Sequence, residues 1–284
     1  MPDFDSLGEL LAYYKVNEAL QAASGNPDAK LRADQVEDVE NLYGFDRIKL
    51  FNEVGTGKTV TSTVIALAWE SEHNIVLMPP ILLRQWQKWL ESLHDAGAVL
   101  VYKGTPPKRQ AFDLPRYKWI LMTIQVFKND YDRLRKAFEG SSVAVLVDEG
   151  HSIKNVGSDN HKRVRDFAAG QRLQVLTGTP VSAPGDAYAY VKLTTPSVYR
   201  SQAQFENLHV EERDFFGNIT KWMNLEQMNR NLMLQGTRRL AKEVLKLGMP
   251  NYIPIEYELA PEHLALYKQL AEEQLLLLPD GGKI

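Results

Sequence analysis

The feature that most narrows the possible folds is Val143-Ala144-Val145-Leu146-Val147, five apolar residues that run straight into Asp148-Glu149-Gly150-His151. A strand with one wet face alternates apolar and polar residues, whereas an unbroken run signals a strand covered on both faces, as in a parallel sheet flanked by helices. Comparable runs fall at Arg47–Asn52, Asn74–Met78, Ala98–Tyr102, Lys118–Thr123 and Arg172–Thr177, and amphipathic stretches between them predict helices starting near Thr59, Pro80, Gln125 and Asp159. That alternation predicts βαβ units: an α/β chain with one parallel sheet and helices on both faces. With 284 residues, 44% of them hydrophobic and 24% charged, the chain can bury a core of this size.

The first run leads into Asn52-Glu53-Val54-Gly55-Thr56-Gly57-Lys58-Thr59-Val60. A strand, a glycine-containing turn and a helix that opens on Lys-Thr form a phosphate cradle, because backbone N–H groups point inward and the helix N-terminus carries partial positive charge. Here Lys58 would reach the β- and γ-phosphates and the Thr59 hydroxyl would bind Mg²⁺. The strict pattern requires Gly at position 52, where this chain has Asn. An ordinary turn with a solvated Lys58 is the alternative.

Asp148 and Glu149 sit at the carboxyl end of a buried strand, where parallel sheets place their chemistry. Asp148 suits an Mg²⁺ ligand and Glu149 a base that polarises the attacking water. A helix cap would account for Asp148 equally simply, but adjacent buried carboxylates need a cation or hydrogen bonds to compensate them. The last run ends in Thr177-Gly178-Thr179-Pro180, a turn in its own right whose hydroxyls follow the phosphate loop and the acidic strand end in the same sheet.

Composition excludes more than it assigns. The absence of cysteine rules out disulfides, thiolate metal sites and cysteine nucleophiles. No apolar run reaches the length of a membrane span, and Met1-Pro2-Asp3-Phe4-Asp5 lacks the basic start of a signal peptide, so an intracellular protein without a membrane partner is expected. The net charge of −3 means that any grip on nucleic acid comes from a local patch.

Gly55-Thr56-Gly57-Lys58-Thr59, Asp148-Glu149-Gly150-His151 and Leu176-Thr177-Gly178-Thr179-Pro180 resemble motifs I, II and III of the superfamily II helicases. The finer similarity is to the Swi/Snf-like ATPases, whose motif I reads close to D-E-M-G-x-G-K-T and whose motif II continues x-I-K-N, here Ser152-Ile153-Lys154-Asn155. Weaker blocks follow in order: Leu31 to Gln35, Val76 to Pro80 with Gln85-Trp86, Val101 to Gly104 with Arg109, Leu121 to Thr123 with Asn129-Asp130, Thr237 to Val244, and Glu256 to Leu259 with Leu266-Tyr267.

The resemblance implies the first RecA-like lobe of an ATP-dependent double-stranded-DNA translocase, with ATP and Mg as cofactors. Gln35 would read adenine, and His151, Thr177 and Thr179 would couple the nucleotide state to motion. Pro79, Arg84, Lys103, Arg109 and Thr123 would lie along duplex or branched DNA. It also implies an organisation: residues 1–30 as an N-terminal helical arm, 31–250 as the ATPase lobe with a helical insertion at about 181–236, and 251–284 as the opening of a truncated second lobe, with a strand at Tyr252–Leu259 and a helix from Pro261 to about Leu277. The insertion's aromatics (Tyr188, Tyr190, Phe205, Phe215, Phe216, Trp222) read as core. The missing partner lobe, in cis or in trans, would carry the arginine fingers, so this chain alone is expected to turn over slowly. An RNA helicase lobe and a nucleotide-dependent binding module are the alternatives. The family's asparagine after motif III is absent from Val181 to Asp186, which favours a compact relative in the cytoplasm of a bacterial or virus-infected cell over a nuclear remodeller.

Overall fold

The computed structural model describes residues 6–245, 253–255 and 257–273. Its strands are β1 (Arg47–Leu50), β2 (His73–Leu77), β3 (Val99–Val101), β4 (Trp119–Met122), β5 (Val143–Asp148), β6 (Arg172–Leu176), β7 (Val210–Arg213), β8 (Ile219–Trp222) and β9 (Gly236–Thr237). Seven of them form one sheet in the order β3-β4-β2-β5-β6-β1-β9, and every neighbouring pair is parallel. Strands in this arrangement need crossover connections, and the helices supply them.

Alternate residues of the central strands feed two separate cores. Ile75, Leu77, Val143, Val145 and Val147 pack on one face with Phe127, Leu134, Val164 and Phe167 from the helices Ile124–Asn129, Tyr131–Ala137 and Asp159–Phe167. Val76, Ala144 and Leu146 pack on the other with Val64, Ile65, Trp86 and Leu90 from Lys58–Ala68 and Leu83–Glu91. The unbroken apolar runs are therefore required: β2, β4 and β5 are buried along their whole length on both sides, and each buried aliphatic side chain contributes roughly 1.5–3 kcal/mol.

The N-terminal arm is two helices, Leu7–Tyr13 and Val16–Ser24, broken where Lys15 turns to a left-handed φ of 51°. Leu10, Val16 and Ala19 are buried in the second of the two cores. The stretch after motif III is less uniformly helical than expected. Its first helix, Asp186–Thr194, sends Tyr190, Val191 and Leu193 into the main core. After the helix Gln202–His209 the chain folds into the antiparallel β7–β8 hairpin, where Phe215 and Phe216 at the tip are 96% and 84% exposed rather than core. The short strand β9 was not expected from the sequence either, since two residues carry no periodicity.

The chain divides into two compact units, Met1–Leu247 and Gly248–Ile284. In the second unit the helix Pro261–Glu273 forms. The expected strand at Tyr252–Leu259 does not: 253–255 and 257–259 carry no strand, and Tyr252 and Glu256 lie outside the described residues, as do residues 274–284. An isolated strand has no partner to satisfy its backbone groups, and apolar patterning alone cannot supply one. No helix among the described residues is long and apolar enough to cross a membrane.

One core residue is a lysine. Lys49 on β1 is fully buried and donates from Nζ to Thr194 Oγ1 at 2.8 Å, and burial pushes its ammonium down to about 7. A folded-state value below the unfolded one makes stability full above the unfolded value and erodes it as the pH falls toward the folded one. Urea titrations are expected to show stability rising from pH 7 to 10 with a Lys49 contribution approaching about 1.4 kcal/mol per pH unit. Lys49→Met should remove that contribution and be the more stable protein at pH 7. A variant with the wild-type pH dependence would contradict a neutralised lysine.

Candidate functional site

The site begins with the strand register. Leu50 of β1 and Asp148 of β5 both stand opposite Leu176 of the intervening β6. Their backbones are thus two strand spacings apart, about 10 Å, with the carboxyl ends of the three strands level. Side chains from the loops beyond can meet across that gap.

Beyond β1, Phe51 and Asn52 remain buried and the chain turns at Gly55 and Gly57, each with φ of 82°. Only glycine adopts such a backbone without strain. Gly57 is the N-cap of the helix Lys58–Ala68 and brings no capping side chain, so the first N–H groups of that helix are open to an anion. A Cβ on Gly57 would lie 2.6 Å from Gln35 Nε2, which itself donates to the Gly57 carbonyl at 3.4 Å. Gln35 therefore abuts the phosphate loop. Beside it Arg32 donates to the Thr56 carbonyl at 2.6 Å while paired with Asp34 at 2.9 Å, a contact that sequence reasoning did not assign.

Lys58 Nζ donates to the Glu53 carbonyl at 3.2 Å, and Thr56 Oγ1 donates to the same oxygen at 2.6 Å. Burial lowers the Lys58 ammonium, while the charges of Asp148 and Glu149 pull it back up. The lysine and both acids thus share one electrostatic environment. Asp148 is 6% exposed, and burial raises its carboxyl against the opposing hydrogen bonds. Its Oδ2 accepts from Trp86 Nε1 at 2.8 Å and its Oδ1 from the Glu149 N–H at 2.9 Å. A carboxylate desolvated to this degree beside a lysine is suited to a divalent cation. Thr59 follows Lys58 in the first turn of the same helix.

Trp86 is the main participant not assigned a role from the sequence. It lies three residues before Trp89, whose Nε1 donates to Thr63 Oγ1 at 3.0 Å, so one helix holds both the acidic strand end and the phosphate-loop helix. The signal available was two buried-type aromatics with polar handles at i, i+3 spacing.

Glu149 has φ 56° and ψ 57°, a left-handed conformation that costs a side-chain-bearing residue about 1–2 kcal/mol. Its Oε2 lies 3.3 Å from Nδ1 of His151. The glycine between them is obligatory, since a Cβ on Gly150 would stand 2.6 Å from Val175 Cγ1 of β6. Thr177 is buried, donates its N–H to the Leu50 carbonyl at 3.1 Å, and its Oγ1 accepts from the Thr179 N–H at 3.2 Å. A Cβ on Gly178 would meet Val54 at 3.3 Å, so this turn packs directly on the phosphate loop.

Pro79, Lys103 and Thr123 follow β2, β3 and β4, three strands adjacent at one side of the sheet, and so share its carboxyl edge; exposed Arg84 opens the helix after Pro79. Thr123 caps the helix Ile124–Asn129, accepting from the Val126 N–H at 3.3 Å. Arg109 is not on an open face. It is 5% exposed, and its Nε and Nη2 donate to Asp130 at 2.7 and 2.8 Å, with Tyr102 adding a third donor to that carboxylate. A guanidinium committed bidentately to a partly buried acid has no fork left for a phosphate; the sequence shows the positive charge but not its partner 21 residues away.

A family described as the SNF2-related domain matches residues 47–283. The chain belongs to this family. The nuclear protein STH1/NPS1 of Saccharomyces cerevisiae is 25% identical over 257 residues, 82% of this chain and 18% of that one. The chromatin structure-remodeling complex protein SYD of Arabidopsis thaliana is 28% identical over 171 residues, 55% of this chain and 5% of that one. The Sulfolobus solfataricus SWI2/SNF2 ATPase core in complex with dsDNA superposes with a TM-score of 0.61 at 23% identity, covering 86% of this chain and 52% of that one, and shares its fold. The SNF2-related chain therefore spans less than a fifth of the length of either curated relative. These relatives overturn the expected cytoplasm of a bacterial or virus-infected cell: one is a nuclear protein of yeast and the other a chromatin structure-remodeling complex protein of a plant. The departures at Asn52 and after motif III lie inside the matched residues 47–283.

Glu149 carries a separable prediction. Glu149→Gly should relieve the left-handed strain and raise stability by about 1 kcal/mol in urea unfolding. Loss of stability would show that the conformation is not strained.

Proposed function

We propose that this SNF2-related chain is the ATP-binding lobe of a DNA-dependent translocase. The observation that carries the proposal is the shared environment of Lys58, Asp148 and Glu149 beside an uncapped helix N-terminus, at the levelled carboxyl ends of β1 and β5. The residues fit Mg-ATP: a desolvated acid, a lysine and free N–H groups match the charges of a metal and a triphosphate. The loop N–H groups and Lys58 would hold the phosphates, with Lys58 leaving the Glu53 carbonyl to do so. Thr59 and Asp148 would hold the magnesium, Gln35 is suited to the adenine, and bound Mg²⁺ supplies charge neutralisation at the transferring phosphate.

Glu149 acts as the base that orients and deprotonates a water, with His151 holding its carboxylate. Thr177 and Thr179 are suited to coupling, because their turn packs on the phosphate loop and hydrogen-bonds to the end of β1. Pro79, Arg84, Lys103 and Thr123 form the face proposed for duplex DNA; the solved core in complex with dsDNA supports that choice by fold. An arginine finger is worth about 10³–10⁵ in rate in related enzymes, and in this family a second lobe carries it, so the lobe by itself turns over slowly.

ATPase assays with and without duplex DNA or RNA test the proposal on the protein joined to a second lobe. Duplex DNA is expected to stimulate more than RNA, and Lys58→Ala and Glu149→Gln should each lower kcat at least about 100-fold. Duplex binding should weaken steeply with added salt, and Arg84→Ala and Lys103→Ala should each make the log-affinity slope shallower by about 0.9. Wild-type rates in both catalytic variants, or salt-indifferent binding, would remove the assignment.

A further inference from the structure

The phosphate loop is held on one side by a set of contacts that the ATPase chemistry does not use. Asp38, on the helix Ala33–Leu42, is completely buried. Its Oδ2 accepts from Asn52 Nδ2 at 2.7 Å, and its Oδ1 accepts from Arg239 Nε at 2.9 Å and is ion-paired with Arg239 Nη2 at 2.7 Å. Arg239 lies two residues past β9 and also reaches Glu37 at 3.1 Å.

The same segment grips the loop by its backbone. The Glu53 N–H donates to the Arg239 carbonyl at 2.9 Å, the Ala241 N–H donates to Glu53 Oε2 at 2.9 Å, and Arg238 Nη1 donates to the Phe51 carbonyl at 3.2 Å. Glu53 is also the residue whose carbonyl holds Lys58 Nζ. Resting on the ATP-site reading above, we infer that Arg239 is a positioning residue for nucleotide binding. Through Asp38 and Asn52 it fixes the phosphate loop to the strand-end segment from which the chain passes to the unit Gly248–Ile284.

This arrangement explains Asn52. The resembling ATPases carry an aspartate at this position; here the negative charge comes from Asp38 on the neighbouring helix, and position 52 supplies the donor. A carboxylate at 52 would face the buried Asp38 carboxylate at hydrogen-bond distance, while Arg239 pairs with Asp38 and Glu37 and not with position 52, and like charges in that setting cannot both persist without displacement. Exchanging the two residues keeps one acid, one amide and the same number of donors.

The test measures binding of a fluorescent ATP analogue with Mg²⁺ to the whole chain, with a thermal melt of each variant. Asn52→Asp should weaken binding at least about tenfold, and the double variant Asn52→Asp with Asp38→Asn should return to within about threefold of wild type, because the acid–amide–guanidinium set is restored. Arg239→Lys, which keeps charge but loses the fork, should weaken binding while melting within a few degrees of wild type. If Asn52→Asp does not fold, the double variant and Arg239→Lys decide alone. A double variant that stays at least tenfold weaker than wild type, or an Arg239→Lys protein that binds as wild type, overturns the inference. A wild-type chain that binds no nucleotide overturns the ATP-site reading and this inference with it.

Discussion

The levelling of three strand ends is the constraint from which the rest follows. Parallel pairing puts Leu50, Leu176 and Asp148 in one row. A slip of one residue in either pairing would turn side chains to the opposite face of the sheet, sending Leu50 or Asp148 away from the loop. The register is protected by burial on both faces, since Val145 and Val147 serve one core and Ala144 and Leu146 the other. Two cores thus act as a jig for one polar row at the sheet's edge.

Around that row the molecule concentrates its costs: a desolvated Asp148, a desolvated Lys58 and a Glu149 held in the left-handed region. Lys58 and Asp148 offset one another in charge, whereas the left-handed backbone of Glu149 is a separate cost. Trp86 and Trp89 spread the support, because one helix donates to the acid and to the phosphate-loop helix. Gly150 lets the turn after β5 approach β6 more closely than a side chain would allow, and Gly178 lets the turn after β6 pack tightly on Val54.

The parts of this legible in the sequence are those where local chemistry decides the outcome. The six apolar runs became β1 to β6 with ends shifted by a residue or two, because burial on both faces writes itself into every position. The glycine turn before Lys58 and the acid pair at the end of β5 stand out in the sequence because few residue types satisfy those backbones and charges. What stayed hidden depends on distant partners. Arg109 carries a charge in the sequence but spends it on Asp130, and Asn52 looked like a departure until Asp38 stood beside it. The strand β9 has two residues and exists only because β1 offers it an edge. Phe215 and Phe216 read as core because aromatics usually are, yet a tight turn anchored by Asp214 leaves them in solvent.

The central claim is that Lys58, Thr59 and Asp148 converge on one magnesium triphosphate. A crystal structure of the chain with Mg²⁺ and a non-hydrolysable ATP analogue tests it most directly. The account predicts Lys58 Nζ transferred from the Glu53 carbonyl to the β- and γ-phosphates, with Thr59 and Asp148 on the magnesium side. Phosphates bound elsewhere on the sheet, with Lys58 still on that carbonyl, would contradict it.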